Sequence, residues 1–94
     1  MFHPGAIRLR RLPDGEFQDG REAGWNERLL EIDVPGEGFF PGALLEIECG
    51  PMLYLGELQQ RRGSIHRVAV EHALDRARLA SILQESKNPA GDGA

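Results

Sequence analysis

The stretch "PGALLEIECGPMLYLGELQQRRG", Pro41 to Gly63, decides the fold class. From Ala43 to Cys49 the side chains alternate with a period of two. Leu45, Ile47 and Cys49 fall on one face, Glu46 and Glu48 on the other, as in a strand with one wet side. Gly50-Pro51 ends that run, and "MLYLGELQQ", Met52–Gln60, begins the next. Gly56 in its middle predicts a bulge or a sharp bend. "RRGS" then turns the chain, which places Arg61 and Arg62 at a solvated tip. The stretch therefore reads as strand, tight turn, strand, turn.

Working outward, residues 6–12, "AIRLRRL", form a further strand with Ile7 and Leu9 inward and Arg8 and Arg10 toward water, until Arg11 and Leu12 break the period. Residues 13–27, "PDGEFQDGREAGWNE", are rich in glycine and acids. They form either one long loop or a hairpin whose arms carry Phe17 and Trp25. A structureless loop of about 15 residues is uncommon in a compact domain, so the two aromatics are expected to fold this segment back onto the barrel. Residues 28–34, "RLLEIDV", alternate cleanly, with Leu30, Ile32 and Val34 on one face. "PGEGFFPG" is a turn or loop. "IHRVAVEHAL", Ile65–Leu74, is the last strand, with Val68 and Val70 on one face. Asp75 then suits an N-cap, and Leu79, Ile82 and Leu83 make an apolar stripe at helical spacing. The expectation is a helix over about 75–86 packed on or beside the barrel, followed by a disordered tail over 87–94.

Five or six short strands with Gly/Pro punctuation and a terminal helix make this an all-β chain. The expected fold is a small antiparallel five- to six-stranded β-barrel with one C-terminal α-helix, in a single domain spanning 1–86. The 94 residues suffice for one core. Fifteen acids against eleven bases give a net charge of −4, without the broad positive field of a duplex DNA binder. No membrane span or secretory signal is visible, so the expected location is cytoplasmic. The lone Cys49 excludes an intramolecular disulfide.

The candidate chemistry is sparse. His66 and His72, six apart in one strand, share a face but stand about 20 Å apart at about 3.3 Å per residue, too far for one metal. Cys49 faces inward and reads as a small core residue rather than an activated thiolate. Ser64, Ser81 and Ser86 have no nucleophile-elbow context, and the glycines of "PGEGFFPG" match no phosphate-binding motif. Single-stranded RNA binding would need aromatics interleaved with bases on a sheet face, and Tyr54 is the only strand aromatic. Arg8, Arg10 and Arg11 can grip a phosphate or pair with the acids of residues 14–27. Phe39 and Phe40, being adjacent, point to opposite faces, so one suits the barrel's open end and the other a contact surface.

The order of these elements resembles a PilZ domain, a small β-barrel ending in a helix, many members of which bind cyclic di-GMP. That family's signature is R-x-x-x-R near the N-terminus, then [D/N]-x-S-x-x-G after a strand. Here Arg8 to Arg11 stand where the arginines would, and "DVPGEG", Asp33–Gly38, directly follows an apolar strand. "GALLEIE" and "YLGEL" then fall in the family's order, so the resemblance spans residues 8–83. No two of the three arginines are four apart, and Pro35 replaces the serine, removing both a hydroxyl and an amide donor. The resemblance implies a divergent member acting through protein contacts; SH3-like barrels are a looser likeness.

The expected function is a non-enzymatic interaction module in bacterial signalling, with an unidentified protein partner and no cofactor or metal. Its contact surface would comprise Phe17, Trp25, Phe39 and Phe40. The alternative that the resemblance implies is a cyclic di-GMP sensor, with Arg8, Arg10 and Arg11 on the phosphates and Asp33 and Gly38 lining the base. An edge strand or the helix stripe would also suit a homodimer.

Overall fold

The computed structural model describes residues 5–78 and 81–82. Six antiparallel strands form a closed barrel: β1 (Ala6–Arg11), β2 (Gln18–Asn26), β3 (Leu29–Asp33), β4 (Leu44–Cys49), β5 (Met52–Arg62) and β6 (Ile65–Asp75). Around the barrel they run β1-β2-β3-β6-β5-β4, so β1 closes the ring by pairing with β4 as well as β2. Closure leaves no open edge along the paired part of the sheet.

The period-two pattern builds the wall directly. Ile7 and Leu9 lie opposite Cys49 and Ile47, while Arg8 and Arg10 lie opposite Glu48 and Glu46. Directly opposed residues share a face, so one register puts the aliphatics inward and the charges outward. Arg10 Nε meets Glu46 at 2.7 Å and Arg8 meets Glu48 at 3.6 Å. These arginines thus pair across to β4, not with the acids of residues 14–27. Inside, Ile7, Leu9, Leu30, Ile32, Val34, Phe39, Leu45, Ile47, Leu58 and Val68 form one buried core.

The segment left open between loop and hairpin is a nine-residue strand, β2. Its core-side positions are Gln18 and Gly20, opposite Leu9 and Ile7, and Glu22, opposite Ile32. None brings an apolar side chain. Gly20 is needed there: a Cβ would stand 2.9 Å from Ile32 Cγ2 and 3.2 Å from Leu9 Cδ2. The missing side chain lets neighbouring strands fill the space with their own aliphatics. Register shifts between Glu22 and Gly24, leaving Ala23 as the extra residue of a bulge, and beyond it Trp25 lies opposite Leu30.

Gly56 sits opposite Leu45 at a register shift between β5 and β6, fulfilling the bulge expected there. A Cβ on it would run into the Ala69 carbonyl oxygen. The shift passes over Glu71 of β6, and a second passes over Gln59 of β5. The Glu71 bulge lies between His66 and His72; His66 is fully buried and His72 is exposed, so the expected common face does not hold.

One further expectation is corrected. Arg61 and Arg62 belong to β5, and the turn is only Gly63-Ser64. Arg61 is no solvated tip, because its guanidinium donates to the Phe39 carbonyl at 2.9 Å and the Gly63 carbonyl at 3.0 Å. A helix does begin at Arg76, capped by Asp75, whose carboxylate accepts from the amides of Ala77 (2.9 Å) and Arg78 (3.2 Å). Of the stripe, Ile82 is 49% exposed; Leu79, Leu83 and the tail over 87–94 lie outside the described residues. Among those residues no helix is long and apolar enough to cross a membrane.

Candidate functional site, a cleft between two loops

The loops Leu12–Phe17 and Val34–Ala43 stand side by side at one end of the barrel and enclose an open cleft of about 1000 Å³. It brings together five of the nine residues proposed from sequence: Arg11, Phe17, Gly38, Phe39 and Phe40.

The second loop is held residue by residue. Gln18, the first residue of β2, clamps Gly38 with both halves of its amide: Oε1 accepts from the Gly38 N–H at 2.8 Å and Nε2 donates to the Gly38 carbonyl at 3.2 Å. Gly38 adopts φ +79°, and a Cβ there would lie 2.7 Å from His66 Nε2. Only glycine allows this left-handed turn so close to another side chain. Next, the Phe39 N–H donates to His66 Nε2 at 3.1 Å, and Arg61 grips the Phe39 carbonyl. Gly42 N–H donates to the Leu58 carbonyl, and the Leu58 N–H returns a bond to Ala43. The two phenylalanines are thereby sorted. Phe39 turns inward, 6% exposed, with its ring edge-on to His66 at 6.1 Å, while Phe40 turns outward, 72% exposed.

His66 is the keystone of this end. Its Nδ1 lies 2.9 Å from the Ser64 carbonyl, so with Nε2 accepting from Phe39 the ring is neutral and protonated at Nδ1. Burial pushes its pKa below the usual histidine value, and the Arg61 guanidinium adds to this. The Ser64 bond and the Asp33 carboxylate pull the other way.

The charged residues divide around the cleft. Arg11, at the end of β1, lines it together with Glu16, Asp19 and Glu37. Arg8 and Arg10 lie instead along the outer face of β1, 4.2 Å and 5.0 Å from the centre of the Phe17 ring. Asp33 lines a smaller adjoining hollow of about 280 Å³ with Asp19, Arg21 and Pro35. The residues proposed for a cyclic dinucleotide are therefore spread over the cleft, the hollow and the wall.

Trp25 belongs to the opposite end. Its ring meets Tyr54 edge to face, with centroids 5.3 Å apart. Beside them Cys49 Sγ lies 3.7 Å from Glu22 Oε1. Burial and the Glu22 carboxylate push the Cys49 thiol up, and burial with the same neighbours raises Tyr54. A thiol held in its neutral form is a poor nucleophile. Among the described residues no group of three or more His, Cys, Asp or Glu is placed to hold a metal.

Three residues that shape the cleft were absent from the sequence-derived site: Gln18, Arg61 and His66. For His66 a signal existed, since it lies two residues before the inward Val68. Gln18 sits in a polar stretch with no apolar period, and Arg61 next to a turn, so neither carried one. No protein-family model matches the chain, and no curated protein and no solved structure gives a match either.

Proposed function

We propose that this chain is a non-enzymatic interaction module that works through protein contacts, with Phe40 at the centre of its contact surface. The observation that carries this is a large aromatic side chain, 72% exposed, on a loop whose residues Gly38, Phe39, Gly42 and Ala43 are hydrogen-bonded to the barrel. Exposed aromatics on fixed backbone are efficient anchors, because little conformational freedom is lost on binding. The likeness of the motif order to PilZ domains is the ground for placing such a module in bacterial signalling.

The test is photo-crosslinking in cells from a benzophenone side chain at position 40, with position 59 as an exposed control. A discrete protein adduct from position 40 alone is expected. The same adducts from both positions, or none from position 40, would overturn the proposal.

A cyclic di-GMP sensor is the alternative, and it has less support, because Arg8 and Arg10 already meet Glu48 and Glu46. Calorimetric titration separates the two. Saturable binding lost in an Arg8→Ala/Arg10→Ala variant would put the sensor in place of the contact module.

A further inference from the structure

Three acids of the wall are matched by arginines: Glu31 with Arg67 at 2.7 Å, Glu46 with Arg10, and Glu48 with both Arg8 and Arg76. Those around the cleft are not. The loops Leu12–Phe17 and Val34–Ala43 contain Asp14, Glu16 and Glu37 and no basic residue. Asp19 adds a fourth carboxylate, and among the described residues none of the four is within ion-pair distance of a base. Between these acids lie apolar groups, Phe17, Phe40 and Ala43 among them.

Arg8 and Arg10 lie over the Phe17 ring but are paired with Glu48 and Glu46, and Arg21 lines the adjoining hollow. Two further arginines stand near enough to compensate. Arg11 lines the cleft itself, one base against Glu16, Asp19 and Glu37. Arg61 lies behind the loop, donating to the Phe39 and Gly63 carbonyls with its guanidinium 5.6 Å from the centre of the Phe40 ring. It covers part of one aromatic surface but reaches no carboxylate of the cleft among the described residues. The cleft is thus an apolar floor in a field of net negative charge. Such a field speeds the approach of cationic partners and penalises anionic ones.

We propose that the occupant of this cleft is a basic peptide segment of a partner protein, with an apolar side chain packed against Phe40 and flanking Lys or Arg residues facing Glu16, Asp19 and Glu37. The proposal rests on the cleft being the contact surface and adds the chemistry of what it contacts. A free cation would leave the aromatic floor unused. An acidic peptide or a nucleotide would bring like charge against three carboxylates.

A random peptide library displayed on phage tests this. It is selected on the full chain and depleted on a Phe40→Ala variant, whose fold is checked by its amide NMR spectrum. The expected result is enrichment of sequences that carry several Lys or Arg beside one large apolar residue. A synthetic peptide of that kind should bind about fivefold more weakly to a Glu16→Gln/Glu37→Gln variant, the effect of two exposed charge pairs. Phe40-dependent peptides without a basic bias, or binding indifferent to the double variant, would overturn the proposal and leave the contact module standing. Failure to enrich any Phe40-dependent sequence would overturn both.

Discussion

At one end of the barrel the chain itself is the lid. Gly38, Phe39, Gly42 and Ala43 are each hydrogen-bonded to a strand or to a side chain rising from one. At the other end the closure is two rings meeting edge to face, Trp25 on Tyr54, with a thiol and a carboxylate beside them. The first arrangement is directional and depends on particular atoms. The second is mostly area, and area tolerates substitution when packing adjusts. A surface meant to present one side chain in one position is therefore better built at the first end, where Phe40 projects.

The contrast is broken most severely at Phe39. It is 6% exposed and its ring packs against His66. Phe39→Ala should cost about 3 kcal/mol or more in urea denaturation, because the cavity opens beneath a loop whose bonds resist collapse. Trp25→Ala, removing a side chain that is 43% exposed, should cost about 1–2 kcal/mol. Equal losses at the two positions would mean that both ends are held by packing alone.

Glycine exchange sharpens the same contrast. Gly38 combines φ +79° with a His66 ring atom 2.7 Å from where a Cβ would stand, whereas a Cβ at Gly24 would meet nothing within 4 Å. Gly38→Ala should destabilise by about 2 kcal/mol, from left-handed backbone strain and displacement of His66. Gly24→Ala should stay within about 0.5 kcal/mol. If the two variants melt together, the latch between Gly38 and His66 is not what fixes the loop.

Much of the wall was legible in the sequence, and the reason is periodicity. β1, β3 and β4 each bury one aliphatic set against a wet face, so Ile7, Leu9, Leu30, Ile32, Leu45 and Ile47 could be assigned from alternation alone. β2 could not, because its core-side positions hold Gln18, Gly20 and Glu22, chosen for what they leave room for or bond to. Bulges at Ala23 and Glu71 then reverse the parity that carries such inferences along a strand. The cleft was half legible. Phe39 and Phe40 had to point apart, but which one turned inward was decided by His66, Arg61 and Gln18, on other strands. Contacts so distant in sequence leave no local pattern.

The ends should also answer pH in opposite senses. His66 is fully buried and its pKa is lowered from the ordinary 6.5 by burial. The unfolded chain therefore takes up a proton first as pH falls, so the stability this group confers is present above about pH 6.5 and lost below it. Protonation would also put a second N–H on Nε2, facing the Phe39 N–H donor. Cys49 is shifted the other way, upward from 9.0 by burial and then by Glu22. The unfolded thiol ionises first as pH rises, so its contribution holds below about pH 9 and fades above it. Urea midpoints across pH should show both limbs. His66→Gln should flatten the acid limb only and Cys49→Ala the alkaline limb only. An unchanged acid limb in His66→Gln would place the acid sensitivity elsewhere.

Among the aromatic residues the smallest expected change in stability is at Phe40, and it bears most directly on function. The side chain is 72% exposed, and the Arg61 guanidinium stands 5.6 Å from the ring centre. An exposed cation–π contact contributes about 0.5–1 kcal/mol, and Arg61 keeps its two carbonyl partners without it. Phe40→Ala should therefore move the urea midpoint by less than one-third of the Phe39→Ala shift, while abolishing co-purification of the protein crosslinked from position 40. A residue that costs little to delete from the fold and much to delete from binding is placed for a partner. Should Phe40→Ala instead destabilise the barrel as much as Phe39→Ala, the exposed ring would be part of the lid, and the contact surface would have to be sought at Trp25.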